Sequence, residues 1–227
     1  MLKRGFFYGA LPVVLLVLML VGCGGGKKGA SNRETQSIQA SQEQQQAARK
    51  AAFDEINQLL DSEIVKKAND KTGSRDLYMP FTAFGQYPSW IVMQEADTVR
   101  LEAVIMDGTT WEKAKEKTDF VYWQTIIFST DQGKWEYNIP NCDGSTGGGK
   151  KTSTNDKGKY EYFKTAFHNL APGYRLLVEG TNPNIRLKGI NKRKDIKVTE
   201  EMIAAFKVGL RLDELFILTR GKIDRAQ

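Results

Sequence analysis

An α+β domain with a largely antiparallel sheet, a long N-terminal helix and two later helices packed on it is what this sequence predicts. Three observations carry that expectation. Residues 34 to 71 are rich in Gln, Ala, Glu, Lys and Leu and contain neither Pro nor Gly, a composition that favours helix. Between Trp90 and Ile139 the apolar residues alternate or run short, with turn signals between them, as strands do. Helical spacing then returns twice, over Tyr160 to Leu170 and again after Thr199.

The first helix has two unlike halves. Residues 34 to 47 carry Ile38 as their single large apolar residue and read as a solvated stalk, whereas Ala48, Ala52, Ile56, Leu59, Leu60 and Ile64 form a stripe at three-and-four spacing. The heptad through Leu59 reads Ile38, Gln45, Ala52, Leu59, Lys66, which gives no coiled-coil seam. Leu77 to Ser89, with Pro80, Gly85 and Pro88 among four aromatic residues, reads as an irregular aromatic loop.

Trp90 to Met93 is a short strand. Thr98 to Met106 is a half-buried one, with Val99, Leu101, Ala103 and Ile105 inward and a turn expected at Asp107-Gly108. Phe120 to Phe128 is apolar on both faces and predicts a central strand. Asp131 to Lys134 turns the chain into Trp135 to Ile139, and a meander is the economical topology. Residues 141 to 158, polar and glycine-rich, are expected to be a mobile loop. Tyr160 to Leu170 is expected to be a helix stopped by Pro172-Gly173. Tyr174 to Glu179 and Ile185 to Ile190 read as a hairpin, and a basic loop runs from Lys188 to Lys197. Thr199 is a helix N-cap, followed by Glu200 and Glu201 in the first turn. Gly209 is expected near that helix's end, and Leu215 to Leu218 as a last strand.

The N-terminus has its own logic. Lys3 and Arg4 precede an apolar core from Ala10 to Val21, and small residues follow at Gly22, Cys23 and Gly24, the pattern of an export signal. From Phe6 to Gly22 a helix would rise about 25 Å, short of the roughly 30 Å hydrocarbon core. Leu20-Val21-Gly22-Cys23 resembles the lipobox of bacterial lipoproteins. The resemblance implies cleavage before Cys23 and lipid on its thiol, with stable anchoring once two or more chains are attached. Small polar residues without periodicity read as a flexible tether over residues 23 to 33, and the remaining length as a single domain over 34 to 227; the resemblance places that domain outside the cytoplasm and, through Gly24, at the outer membrane in a cell that has one.

Charge and cysteine content bound the chemistry. The net charge is +6 over 227 residues, Lys3 and Arg4 included, too small a balance to argue for nucleic acid. With Cys23 lipidated, Cys142 has no intramolecular partner, and a single histidine makes an ordinary zinc site improbable. Gly144 to Lys150 reads GSTGGGK, the opening of a phosphate-binding loop, but Lys151 stands where Ser or Thr should hold magnesium and no helix pattern follows. Nucleotide binding is therefore not expected. His168 has no partner identifiable from spacing, and no catalytic constellation stands out.

The functional expectation is a non-enzymatic, membrane-anchored binding or assembly component of the cell envelope, with no cofactor beyond the lipid on Cys23. Its candidate contacts with an envelope protein or an anionic glycan or lipid are Lys188, Lys192, Arg193, Lys194 and Lys197. The alternatives are an envelope enzyme acting on glycan or peptide, and a carrier of lipid or a small apolar ligand.

Overall fold

The computed structural model describes residues 30–69, 76–80, 88–95, 98–110, 120–155 and 158–220. The expected export signal, Cys23, the expected tether up to Gly29, and the segments 81–87 and 111–119 lie outside the described residues. The chain divides into two compact units, Met1–Glu43 and Gln44–Gln227. In the first, residues from Ala30 are helical and Ser37 to Glu43 are exposed, Ile38 by 57%. Helix thus begins at Ala30 rather than at Glu34, directly after Gly29.

The second unit is α+β, and every strand pairing in it is antiparallel. Helix α1 (Ala30–Leu60) buries Ala52, Ile56 and Leu60 of the expected stripe, leaves Leu59 half-buried and Ala48 exposed, and ends before Ile64. It stops at Leu60 rather than near Lys71. The Ser62 hydroxyl donates to the Leu59 carbonyl at 2.6 Å, and the β-branched Ile64-Val65 leads into strand β1 (Val65–Asn69).

Two sheets take the place of one. The first is ordered β1-β2-β3-β4-β8-β7, with β2 (Asp76–Pro80), β3 (Pro88–Glu95), β4 (Thr98–Thr110), β7 (Lys150–Asn155) and β8 (Gly158–Ala166). The expected aromatic loop is therefore partly strand. Pro80 and Pro88 stand at strand ends, where a missing N–H costs little. No turn forms at Asp107-Gly108, because β8 pairs along that stretch, Asp107 opposite Glu161 and Gly108 opposite Tyr160. Residues 141 to 158 are not a loop throughout either, since β7 pairs with β8.

Tyr160 to Ala166 is strand rather than helix. The Tyr- and Phe-rich segment is paired on both sides, and only Phe167–Asn169 turns, as a 3-10 helix. Pro172 then opens helix α2 (Ala171–Glu179) instead of ending one, which proline does well at a first turn. Tyr174 to Glu179 is helical for the same reason.

The second sheet is ordered β10-β9-β5-β6, from β5 (Thr125–Thr130), β6 (Gly133–Asn138), β9 (Asn184–Lys188) and β10 (Arg193–Lys197). The hairpin across Asp131 to Lys134 forms as expected. The strand expected over Phe120 to Phe128 begins only at Thr125 and buries one face, through Ile126 and Phe128. Helix α3 (Glu200–Thr219) is capped by Thr199, whose hydroxyl accepts from the Met202 N–H at 3.3 Å. It absorbs both Gly209 and the expected last strand.

The inner faces of both sheets share one core with α2, α3 and the buried residues of α1. Arg211 on α3 holds the Glu55 carboxylate with two nitrogens, at 2.6 and 2.7 Å. Tyr174 lies at the centre, stacked on Phe206 with centroids 4.5 Å apart and edge-on to Phe128 at 5.5 Å. Its hydroxyl is buried without a hydrogen-bond partner among the described residues, and burial pushes its ionisation well above the ordinary phenol value. Tyr174→Phe removes that unsatisfied group and keeps the ring, so urea unfolding should show a gain of about 1 kcal/mol.

Candidate anion-binding surface

Period two sorts the four-stranded sheet into two unlike faces. On the inner face Phe128, Trp135, Ile185 and Ile196 form one cross-strand row, and Ile126, Tyr137, Leu187 and Lys194 the next. Helix α2 covers this side, with the Cα of Gly173 so close that an added Cβ would meet the Phe128 ring at 2.6 Å.

The outer face carries three rows. Lys197, Asn184, Ser129 and Lys134 form the first, Asp195, Arg186, Ile127 and Glu136 the second, and Arg193, Lys188, Thr125 and Asn138 the third. All twelve are exposed or half-buried. Two pairs are internally neutralised. Arg186 forks onto Asp195 at 2.6 and 2.9 Å, and Lys134 meets Glu136 at 2.9 Å. The hydrogen bond from Arg186 holds the Asp195 carboxyl below the usual carboxylate range, and the bond from Lys134, with a smaller effect of Lys188, does so for Glu136.

Lys188, Arg193 and Lys197 remain, each exposed and in no ion pair among the described residues. Lys188 and Arg193 stand directly opposite each other across the ladder, an arrangement of like charges that weakens a sheet unless an anion joins them.

The candidate residues are thus partly separated by the fold. Lys188, Arg193 and Lys197 share the outer face, and Lys192 is exposed in the β9–β10 turn. Lys194 belongs to an inner-face row, is half-buried and is ion-paired with Asp107 of β4, so its charge is already partnered. The expected basic loop is a hairpin, and its alternation does the sorting. Arg186 and Lys134 join the face from segments that no charge run marked.

The GSTGGGK segment has a structural task. Lys150 Nζ is fully buried, donates to Glu161 Oε1 at 2.7 Å and to the Gly144 carbonyl at 2.8 Å, and sits 4.4 Å above the Trp123 ring. Glu161 Oε2 accepts from the Val121 and Tyr122 N–H groups at 2.7 and 3.2 Å. The pair therefore clamps residues 121–122 and the 141–149 loop to β8. Tyr122 is held in left-handed backbone, φ 52°, with its ring 42% exposed. Cys142 is a half-buried free thiol whose sulfur accepts from the Gly144 N–H.

His168 is exposed on the 3-10 turn. Its charge opposes the upward shift that burial gives the Asp213 carboxyl, but no hydrogen bond joins the two among the described residues. Among those residues no group of three or more His, Cys, Asp or Glu side chains is placed to hold a metal ion. Compared with protein-family models, curated proteins and solved structures, the chain matches none.

Proposed function

We propose that this chain is a lipid-anchored, non-enzymatic binding or assembly component of the cell envelope, and that the outer face of the β10-β9-β5-β6 sheet takes an anionic partner. One observation carries the reading. Three exposed cations, Lys188, Arg193 and Lys197, share a sheet face and form no ion pair among the described residues, and charges in that state favour an anion. The sequence Leu20-Val21-Gly22-Cys23 supports the anchor.

Two measurements test the reading. Neutralising Lys188, Arg193 and Lys197 together, each to Gln, should weaken binding to an immobilised anionic polysaccharide at least tenfold at low salt. Neutralising Lys194, whose charge is paired with Asp107, should leave that binding within twofold. Equal binding by both variants would remove the sheet face from consideration. Cys23→Ala should abolish incorporation of labelled fatty acid and retention in the membrane fraction; unchanged labelling would sink the anchor.

A further inference from the structure

Three connections meet at one end of the four-stranded sheet, the end where β5 and β10 begin and β6 and β9 finish. They are residues 120–124, 139–149 and 189–192. Gly189 brings the first and last into contact. A Cβ there would lie 2.1 Å from the Val121 carbonyl oxygen and 3.0 Å from that of Tyr122, so no larger residue fits. The Gly189 N–H closes the turn on the Lys192 carbonyl at 2.9 Å. Ile190, next along the turn, is 78% exposed, the most of any large apolar side chain described. Tyr122 is also exposed, on backbone that a non-glycine residue adopts at a cost and that Glu161 holds in place.

We infer that this end of the sheet, led by Ile190 and Tyr122 and flanked by Lys188 and Arg193, docks on the anionic head groups of a lipid bilayer. The inference rests on the anchored-binding reading above and deepens it. Lys188 and Arg193 are opposite one another at the base of the turn and lack ion pairs among the described residues. Their apolar stems can lie beside Ile190 while their charged ends reach phosphate. An apolar tip flanked by cations matches the boundary between acyl chains and head groups of an anionic membrane. A soluble polyanion would satisfy the two cations but would give Ile190 no apolar environment to enter. Charge complementarity and the exposed side chain therefore favour the same occupant.

The test uses the full chain with an environment-sensitive fluorophore introduced at Asn191, in the turn beside Ile190. It is reconstituted into vesicles of phosphatidylcholine alone or mixed with phosphatidylglycerol. Emission should shift to the blue and become quenchable by bilayer-buried quenchers only when phosphatidylglycerol is present. Ile190→Ser should abolish the shift. The double change Lys188→Gln and Arg193→Gln should demand roughly thirty-fold more anionic lipid, from two charges each worth about a fivefold step. All of these positions are exposed, so unchanged thermal unfolding will confirm that the variants fold.

Identical emission on both kinds of vesicle would overturn the inference. So would the same shift on adding an anionic polysaccharide without vesicles, which would assign the tip to that polymer. A chain that fails to float with phosphatidylcholine vesicles would refute the anchor instead. Docking is then read by adding anionic vesicles to the unattached chain, so the two failures remain separate.

Discussion

Lys150→Met should lower the free energy of unfolding by about 3–5 kcal/mol in urea denaturation, because it strands the buried Glu161 carboxylate without its counter-charge. Domains of this size hold about 5–15 kcal/mol in all, so the variant should be close to failing at physiological temperature. The Gly144 carbonyl would lose its partner in the same step. Changing Glu161→Leu as well should recover a large part of the loss, since a shape-matched apolar pair has no charge to desolvate. Recovery should stop short of completeness. The Val121 and Tyr122 N–H groups, which donate to Glu161, would then be unmet, at about 1–3 kcal/mol for each that stays buried. Amide hydrogen exchange at those two positions provides the local readout. If Lys150→Met leaves the unfolding midpoint where it was, the clamp is not what holds this corner.

Trp90→Ala should cost about 3–5 kcal/mol, the usual range for removing a large core aromatic. Trp90 is wholly buried and its indole N–H donates to the Ala205 carbonyl at 2.7 Å, tying β3 to α3. The site is also tightly filled. A Cβ on Gly209 of α3 would come within 2.7 Å of Trp90 Cδ1 and 2.8 Å of Phe167 Cε2. Gly209→Ala should therefore cost about 1–3 kcal/mol by overpacking, although alanine gains about 1 kcal/mol over glycine in a free helix. With Trp90 already removed, the same change should cost less, the remainder reflecting the close approach to Phe167 that persists. Additive effects across the two positions would show that the ring and the glycine do not share one space.

The class of fold was legible where a pattern had one physical reading. Val99, Leu101, Ala103 and Ile105 alternate because one side of β4 faces the core, and Ala52, Ile56 and Leu60 recur because one side of α1 does. Thr199 followed by two glutamates could hardly be anything but a helix start. Errors came where long-range pairing outweighed local spacing. Tyr160, Phe163, Phe167 and Leu170 imitate a helical stripe, yet the first two lie in a strand paired on both sides and the last two at a turn.

The candidate surface was half visible. Lys188 to Lys197 stood out as a run of charge, but a run in sequence is not a patch in space. Period two turns Lys194 inward and brings in Arg186 and Lys134, whose membership depends on the β5 pairings to both neighbours. The Lys150–Glu161 clamp left no local signal, since Lys150 reads in the sequence only as the lysine of an incomplete phosphate-binding loop. Nothing at Glu161 announces that two backbone amides forty residues upstream will close on it.

The order of strands along the chain has a consequence for how the molecule is made. The last two strands of the first sheet, β7 and β8, lie in sequence between the halves of the second, β5–β6 and β9–β10. Neither sheet is therefore a continuous stretch of polypeptide, and no single cut separates them. As the chain emerges from the ribosome, β5 and β6 are complete long before β9 arrives to cover the exposed side of β5. The second sheet must wait as a bare two-stranded ribbon, which has little stability of its own, until the chain has grown past Lys197. Interleaving of this kind ties final assembly to the end of synthesis and favours slow folding through distant pairings. Under the proposed export, late closure would have a use, since a polypeptide that has not yet locked its sheets can still be threaded.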